Sequence, residues 1–186
     1  MEMTGEQLIP ATQDKVWQGL MDPEVLKACI TGCETIERVT DSEYRIVMVA
    51  AVGPVKAKFT GKLLLADLVP PDSCSIAFDG SGGAAGFGKG GSQVKLTGEG
   101  SSTRLSYAAK ATVGGKLAQI GSRLVDGVAH KMAADFFAKF NALMAAPAAG
   151  APAAAAEKEE TPVGFNPLWL VAGTILVMLI IAWAVR

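Results

Sequence analysis

The 186-residue chain has little of what most enzymatic chemistry is built from: one histidine, three cysteines and 6 % aromatic residues. With His130 alone, no Ser-His-Asp, Cys-His or paired-carboxylate constellation presents itself, so no catalytic residue is expected. An excess of basic charge is also missing. Seventeen Lys and Arg against eighteen Asp and Glu give a net charge of −1, which argues against a nucleic-acid partner. The opening MEMTGEQLIP has no basic stretch followed by an apolar run, and so nothing that reads as a secretory leader. The body of the chain is therefore expected in the cytosol. Cys29, Cys33 and Cys74 are odd in number and lack a disulfide spacing, as expected of free thiols in a reducing compartment. A zinc site would need Cys74 and His130 to converge on Cys29 and Cys33 from distant elements, so no metal is expected.

What is present is periodicity that changes along the chain. Met3 to Ile9 alternates as a short strand, and PATQDKVWQGLMDPEVLKACITG reads as two short helices. Thr12 is the candidate N-cap of the first, Asp22-Pro23 restarts the pattern, and Gly32 can end it at positive φ. From Glu34 to Val113 the period falls to two, with turn signals at Asp41-Ser42, Gly53-Pro54, Pro70-Pro71-Asp72, the glycine tract 80–91 and Gly98 to Ser102. Six strands result, seven with the first, joined as a meander. Gly115 to Met144 returns to a helical period, predicting one helix about 45 Å long at ~1.5 Å per residue. The expected class is α+β, a seven-stranded antiparallel sheet with a long helix after it.

Two stretches resemble functional motifs. Within GSGGAAGFGKGG, Gly86, Gly88 and Gly91 fit G-x-G-x-x-G, and Gly83, Gly88 and Lys89 fit a phosphate loop except that Gly90 stands where Ser or Thr is required. A phosphate cradle needs a helix after it, whereas SQVKLT alternates like a strand. A hairpin, or a flap over a cavity mouth carrying Phe87, fits the tract better. In VKAKFTGKLLL, Lys56, Lys58 and Lys62 form a basic face behind an apolar one. That face is either plain solvated sheet or a dock for an acidic partner or anionic lipid head groups. Asp126 and His130, one helical turn apart, read as an exposed pair.

The order of elements resembles the helix-grip fold of the START and Bet v 1-like (SRPBCC) superfamily, in which a curved antiparallel sheet wraps the C-terminal helix. PATQDKVWQGLMDPEVLKACITGCE is similar to the superfamily's entry, and GKLAQIGSRLVDGVAHKMAADFFAKF resembles the long helix of the G-subunit family of carbon monoxide dehydrogenase. The resemblance spans about residues 1–144. It implies a non-catalytic accessory that brings a molybdenum-containing carbon monoxide dehydrogenase to the cytoplasmic face of the bacterial inner membrane, with membrane lipids as further partners. It also implies an apolar cavity between sheet and helix, and hence a hydrophobic small molecule, with a quinone or another isoprenoid lipid as the hypothesis. No covalently bound cofactor is expected.

Candidate cavity residues are Trp17, Leu20 and Met21 from the first helix, and Phe59, Leu63, Ile76 and Phe78 from the strands. Phe87 from the flap and Tyr107 join them, with Leu117, Ile120, Leu124, Val128 and Met132 from the long helix. A solid core would use the same side chains, so periodicity does not separate the two readings. Alternatives to a carrier are a cyclase or hydrolase acting on a hydrophobic small molecule, which needs Tyr107 or Cys74 pointing inward, and a pure tether with no ligand.

Residues 145–165 are Ala- and Pro-rich and read as a flexible linker between the helix-grip domain, 1–144, and a C-terminal segment, 166–186. Leu168 to Val185 holds no charge in eighteen positions. With Asn166 as N-cap and Pro167 as first residue, a helix to residue 186 would be about 30 Å long, matching the ~30 Å hydrocarbon core. Leu168, Trp169, Leu176, Leu179 and Trp183 are the expected anchor residues, with the tryptophans near either interface. A tail held in a partner's groove or self-associating is the alternative.

Overall fold

In the computed structural model, residues 1–145 are described. The linker and the anchor helix, with Leu168, Trp169, Leu176, Leu179 and Trp183, lie outside them. Among the described residues no helix is long and apolar enough to cross a membrane.

The chain forms β1 (Glu2–Ile9), α1 (Gln13–Met21), α2 (Pro23–Cys29), β2 (Cys33–Arg38), β3 (Glu43–Val52), β4 (Val55–Val69), β5 (Ser73–Ser81), β6 (Phe87–Glu99), β7 (Ser102–Gly114), α3 (Lys116–Gln119) and α4 (Ser122–Ala145). All seven strands join one antiparallel sheet in the order β1-β7-β6-β5-β4-β3-β2. The meander therefore runs from β2 to β7 only. β1 closes beyond β7, so α1 and α2 carry the chain from one edge of the sheet to the other.

Local chemistry sets the joints. Asp22 caps α2 by accepting from the Glu24 amide at 2.8 Å, Pro23 occupies its first turn, and Gly32 turns the chain at φ +78°. Thr12 stands at the N-cap of α1 but its side chain makes no capping bond. β4 alternates as its sequence demands, with Val55, Ala57, Phe59, Gly61, Leu63 and Leu65 on the inner face and the lysines outside.

Two expectations need correction. The glycine tract is mostly strand: β5 runs to Ser81 and β6 begins at Phe87, leaving a short loop with a 3-10 turn at Gly83–Ala85. Glycine composition marks weak strands as readily as turns, and here register with β5 and β7 decides. The single thirty-residue helix is two helices, because Gly121 adopts φ +98° between α3 and α4. Apolar spacing persists across such a break and does not reveal it.

The turns fall at two ends. One end carries the β2–β3, β4–β5 and β6–β7 turns, the other the β3–β4 and β5–β6 turns and the β7–α3 junction. The main core gathers at the first end, where Ile9, Val16, Cys29, Leu96, Leu105, Phe140 and Met144 are buried together. Phe140 stacks on Phe136 at 5.6 Å, and Lys15 Nζ donates to the Met144 carbonyl at 2.8 Å, placing a cation at the C-terminal end of α4, where the helix dipole favours it. Buried Thr103 donates through Oγ1 to the Ala11 carbonyl at 2.7 Å, which ties the chain after β1 to the sheet.

Candidate functional site: a two-lobed apolar cavity

Between the sheet's inner face and the helices lie two adjoining cavities that share Ile30 and Leu63 on their walls. The deeper and more enclosed lobe, about 300 Å³, is bounded by Met3, Leu20 and Met21, by Tyr44 and Leu65, and by Ile76, Tyr107, Phe136 and Phe137. The outer lobe, about 360 Å³, is bounded by Met48, Val52, Phe59, Phe78, Leu117 and Met132. Nearly all the lining atoms are apolar.

The outer lobe exists because the sheet lacks side chains where a core would need them. Gly61, Gly80 and Gly88 sit directly opposite one another on β4, β5 and β6, and all three border the space. A Cβ at Gly61 would stand 2.7 Å from the Asp79 carbonyl oxygen, so the backbone itself excludes a larger residue there. Across from this floor, α4 stands off the sheet in its first turns: Leu124 is 53 % exposed, while Phe140 four turns later is 0 % exposed.

Of the residues expected at the cavity, Leu20, Met21, Leu63, Ile76 and Tyr107 meet around the deeper lobe, and Phe59, Leu63, Phe78, Leu117 and Met132 around the outer one. Five others line neither. Trp17 packs against the main core, and Val128 is half-buried on α4. Ile120 and Leu124 lie over the β3–β4 turn, within ordinary contact of where a Cβ at Gly53 would be. Phe87 is on the outer face of β6, covering Gly114, and is no flap over the cavity. Sequence reasoning missed Met48, Ile46 and Phe137; the alternation of β3 marks the first two as inward.

Polar groups are few at this site. Ser92, Tyr107 and Cys74 border the deeper lobe; the Tyr107 hydroxyl lies over Gly5 on β1 and makes no hydrogen bond to another described residue. Burial pushes the Cys74 thiol above its ordinary range, which keeps it protonated and a weak nucleophile. Cys29 and Cys33 are shifted the same way, and all three are free thiols. His130 is exposed on α4 and no bond joins it to Asp126; the i,i+4 pair that forms is Lys131–Asp135, at 2.8 Å. No cluster of three or more His, Cys, Asp or Glu side chains suited to a metal occurs among the described residues. A larger concavity, about 1150 Å³, lies on the opposite face of the sheet among Arg45, Lys62, Asp79, Lys89 and Lys110, and its walls are charged.

A curved antiparallel sheet closed by a C-terminal helix over an apolar space is the helix-grip arrangement. The model of the carbon monoxide dehydrogenase G-subunit (CoxG) family matches residues 5–145, and the chain belongs to that family. A conserved protein from Geobacillus kaustophilus is 33 % identical, with a TM-score of 0.73 over 78 % of this chain and 95 % of its own. A protein from Chromobacterium violaceum shares the fold at 13 % identity and TM-score 0.60, over 78 % of this chain and 99 % of its own. The Zhui aromatase/cyclase from a Streptomyces species does so at 11 % identity and TM-score 0.59, over 77 % and 93 %. Among curated proteins none matches.

Proposed function

We propose that the chain is a membrane-tethered accessory of a molybdenum carbon monoxide dehydrogenase, carrying a hydrophobic ligand in the two-lobed cavity and recruiting the enzyme to the cytoplasmic membrane. The observation that carries this reading is the pair of apolar lobes in a chain of the CoxG family. A quinone suits the space. The deeper lobe would take its flat head, with Ser92 as a hydrogen-bond donor on the wall, and the outer lobe its isoprenoid chain. In this reading residues 166–186 hold the domain at the cytoplasmic face of the bacterial inner membrane and the linker gives it a mean reach of about 25 Å.

The test is a reconstituted assay: carbon monoxide, a molybdenum carbon monoxide dehydrogenase and quinone-loaded vesicles, with the chain added or withheld. Quinone reduction should rise with the chain and fall when residues 166–186 are removed. An unchanged rate in both cases contradicts the reading. The enzyme alternative draws on Tyr107 and Cys74 at the deeper lobe. It predicts turnover of an added polyketide-like substrate that Tyr107→Phe abolishes.

A further inference from the structure

The two ends of the domain differ in charge. At the end with the β3–β4 turn, the β5–β6 loop and the β7–α3 junction stand Lys56, Lys89, Lys116 and Arg123, all exposed and none in an ion pair among the described residues. Of the carboxylates nearby, Glu34 pairs with Lys58 at 2.7 Å and Glu2 with Lys110 at 2.9 Å, while Asp79 stands in register between Lys62 and Lys89 with no ion pair to either. Asp126, half-buried on α4, is the remaining one. At the opposite end Asp41, Asp67, Asp72 and Glu99 crowd the turns, and the arginines there, Arg38 and Arg104, are taken up by Asp41 and Glu99. Exposed apolar side chains occur at both ends, Leu124 and Phe87 at the basic one, Val39, Leu68 and Val69 at the acidic one. Only at the basic end do they stand among a cluster of cations outside the ion pairs of the described residues, and Val52, Gly88 and Leu117, at that end, form part of the wall of the outer lobe.

We infer that the basic end is a docking surface for an anionic lipid bilayer, with Leu124 and Phe87 entering the interface and the four cations held by head-group phosphates. Docking this way sets the end of the domain that borders the outer lobe on the membrane, a short path for an apolar ligand between bilayer and lobe. The acidic end is repelled by the same surface and is left facing away. This surface complements the carrier reading, yet the two fail separately. Vesicle binding needs no ligand in the cavity, and ligand binding can be measured without vesicles.

Residues 1–145 hold every described element, and the Geobacillus structure corresponds to this domain over 95 % of its own chain, so the fragment is a folding unit. Flotation of the fragment with vesicles of phosphatidylglycerol and phosphatidylcholine should recover it in the lipid layer, and added salt should release it. Pure phosphatidylcholine should recover little. The double variant Lys116→Glu, Arg123→Glu should lower partitioning by about fivefold or more per cation, and Leu124→Asp should lower it further. Lys95→Glu, on the sheet's outer face toward the acidic end, should leave it unchanged, and thermal unfolding of each variant controls for folding. Equal recovery on neutral vesicles, equal loss with Lys95→Glu, or no recovery of the unaltered fragment would overturn the inference. The last result would leave the surface to a protein partner.

Discussion

The two halves of α4 are the same helix doing different things. Its C-terminal half grips: Phe136, Phe137 and Phe140 stack with one another and with Tyr107 at 5.3 to 5.6 Å, and Phe140 and Met144 are buried against α1 and the sheet. Its N-terminal half stands away, carrying an exposed Leu124 and a Gly127 with open space around it. A helix that packed along its whole length over a side-chain-filled sheet would leave a solid core. The contrast sets the outer lobe under the loosely packed half, while the deeper lobe borders the stabilising core itself through Leu105, Phe136 and Phe137.

Substitutions along the helix should reproduce this gradient. Phe140→Ala removes a fully buried ring and should cost about 3–5 kcal/mol, read by denaturant unfolding. Gly121→Ala imposes positive φ on a residue with a Cβ and should cost about 1–3 kcal/mol; no gain or loss would mean that the α3–α4 break straightens freely. Alkaline pH should act on the gripped end, where Cys29 lies in the core. The raised pKa values of Cys29 and Cys74 favour the protonated thiol in the native state. Their contribution is whole below the ordinary thiol pKa and is lost as pH rises through the raised native values, so the unfolding midpoint should fall over that window and not between neutral and mildly acidic pH. Leu124→Ala, in the loose half, should change stability by less than about 0.5 kcal/mol. A cost close to that of Phe140→Ala would erase the distinction between the halves.

How much of this was legible in the sequence depends on the level. Strand alternation is a local steric property, and β4 shows it residue by residue, so the seven strands and their faces could be read directly. The position of β1 beyond β7 could not, because pairing between sequence-distant strands leaves no local mark. The break at Gly121 was hidden because Leu117, Ile120 and Leu124 keep helical spacing across it. Cavity residues were half legible. Inwardness could be inferred from alternation for Leu63, Ile76 and Phe78, but whether an inward side chain meets a neighbour or a void depends on what faces it. The aligned glycines 61, 80 and 88, on three separate strands, become a floor only through register. Leu124 followed the apolar pattern and still ended exposed, since nothing on the sheet rises to meet it.

Whether the half-gripping helix and the glycine floor enclose a working ligand site is decided by native mass spectrometry of residues 1–145 after incubation with quinone-containing vesicles. A discrete adduct of one quinone per chain is predicted, lost in Met132→Trp, where an indole fills the outer lobe, and kept in Lys95→Glu on the opposite face of the sheet. A chain that remains at its bare mass, or an adduct that survives Met132→Trp, would contradict a ligand site between helix and sheet.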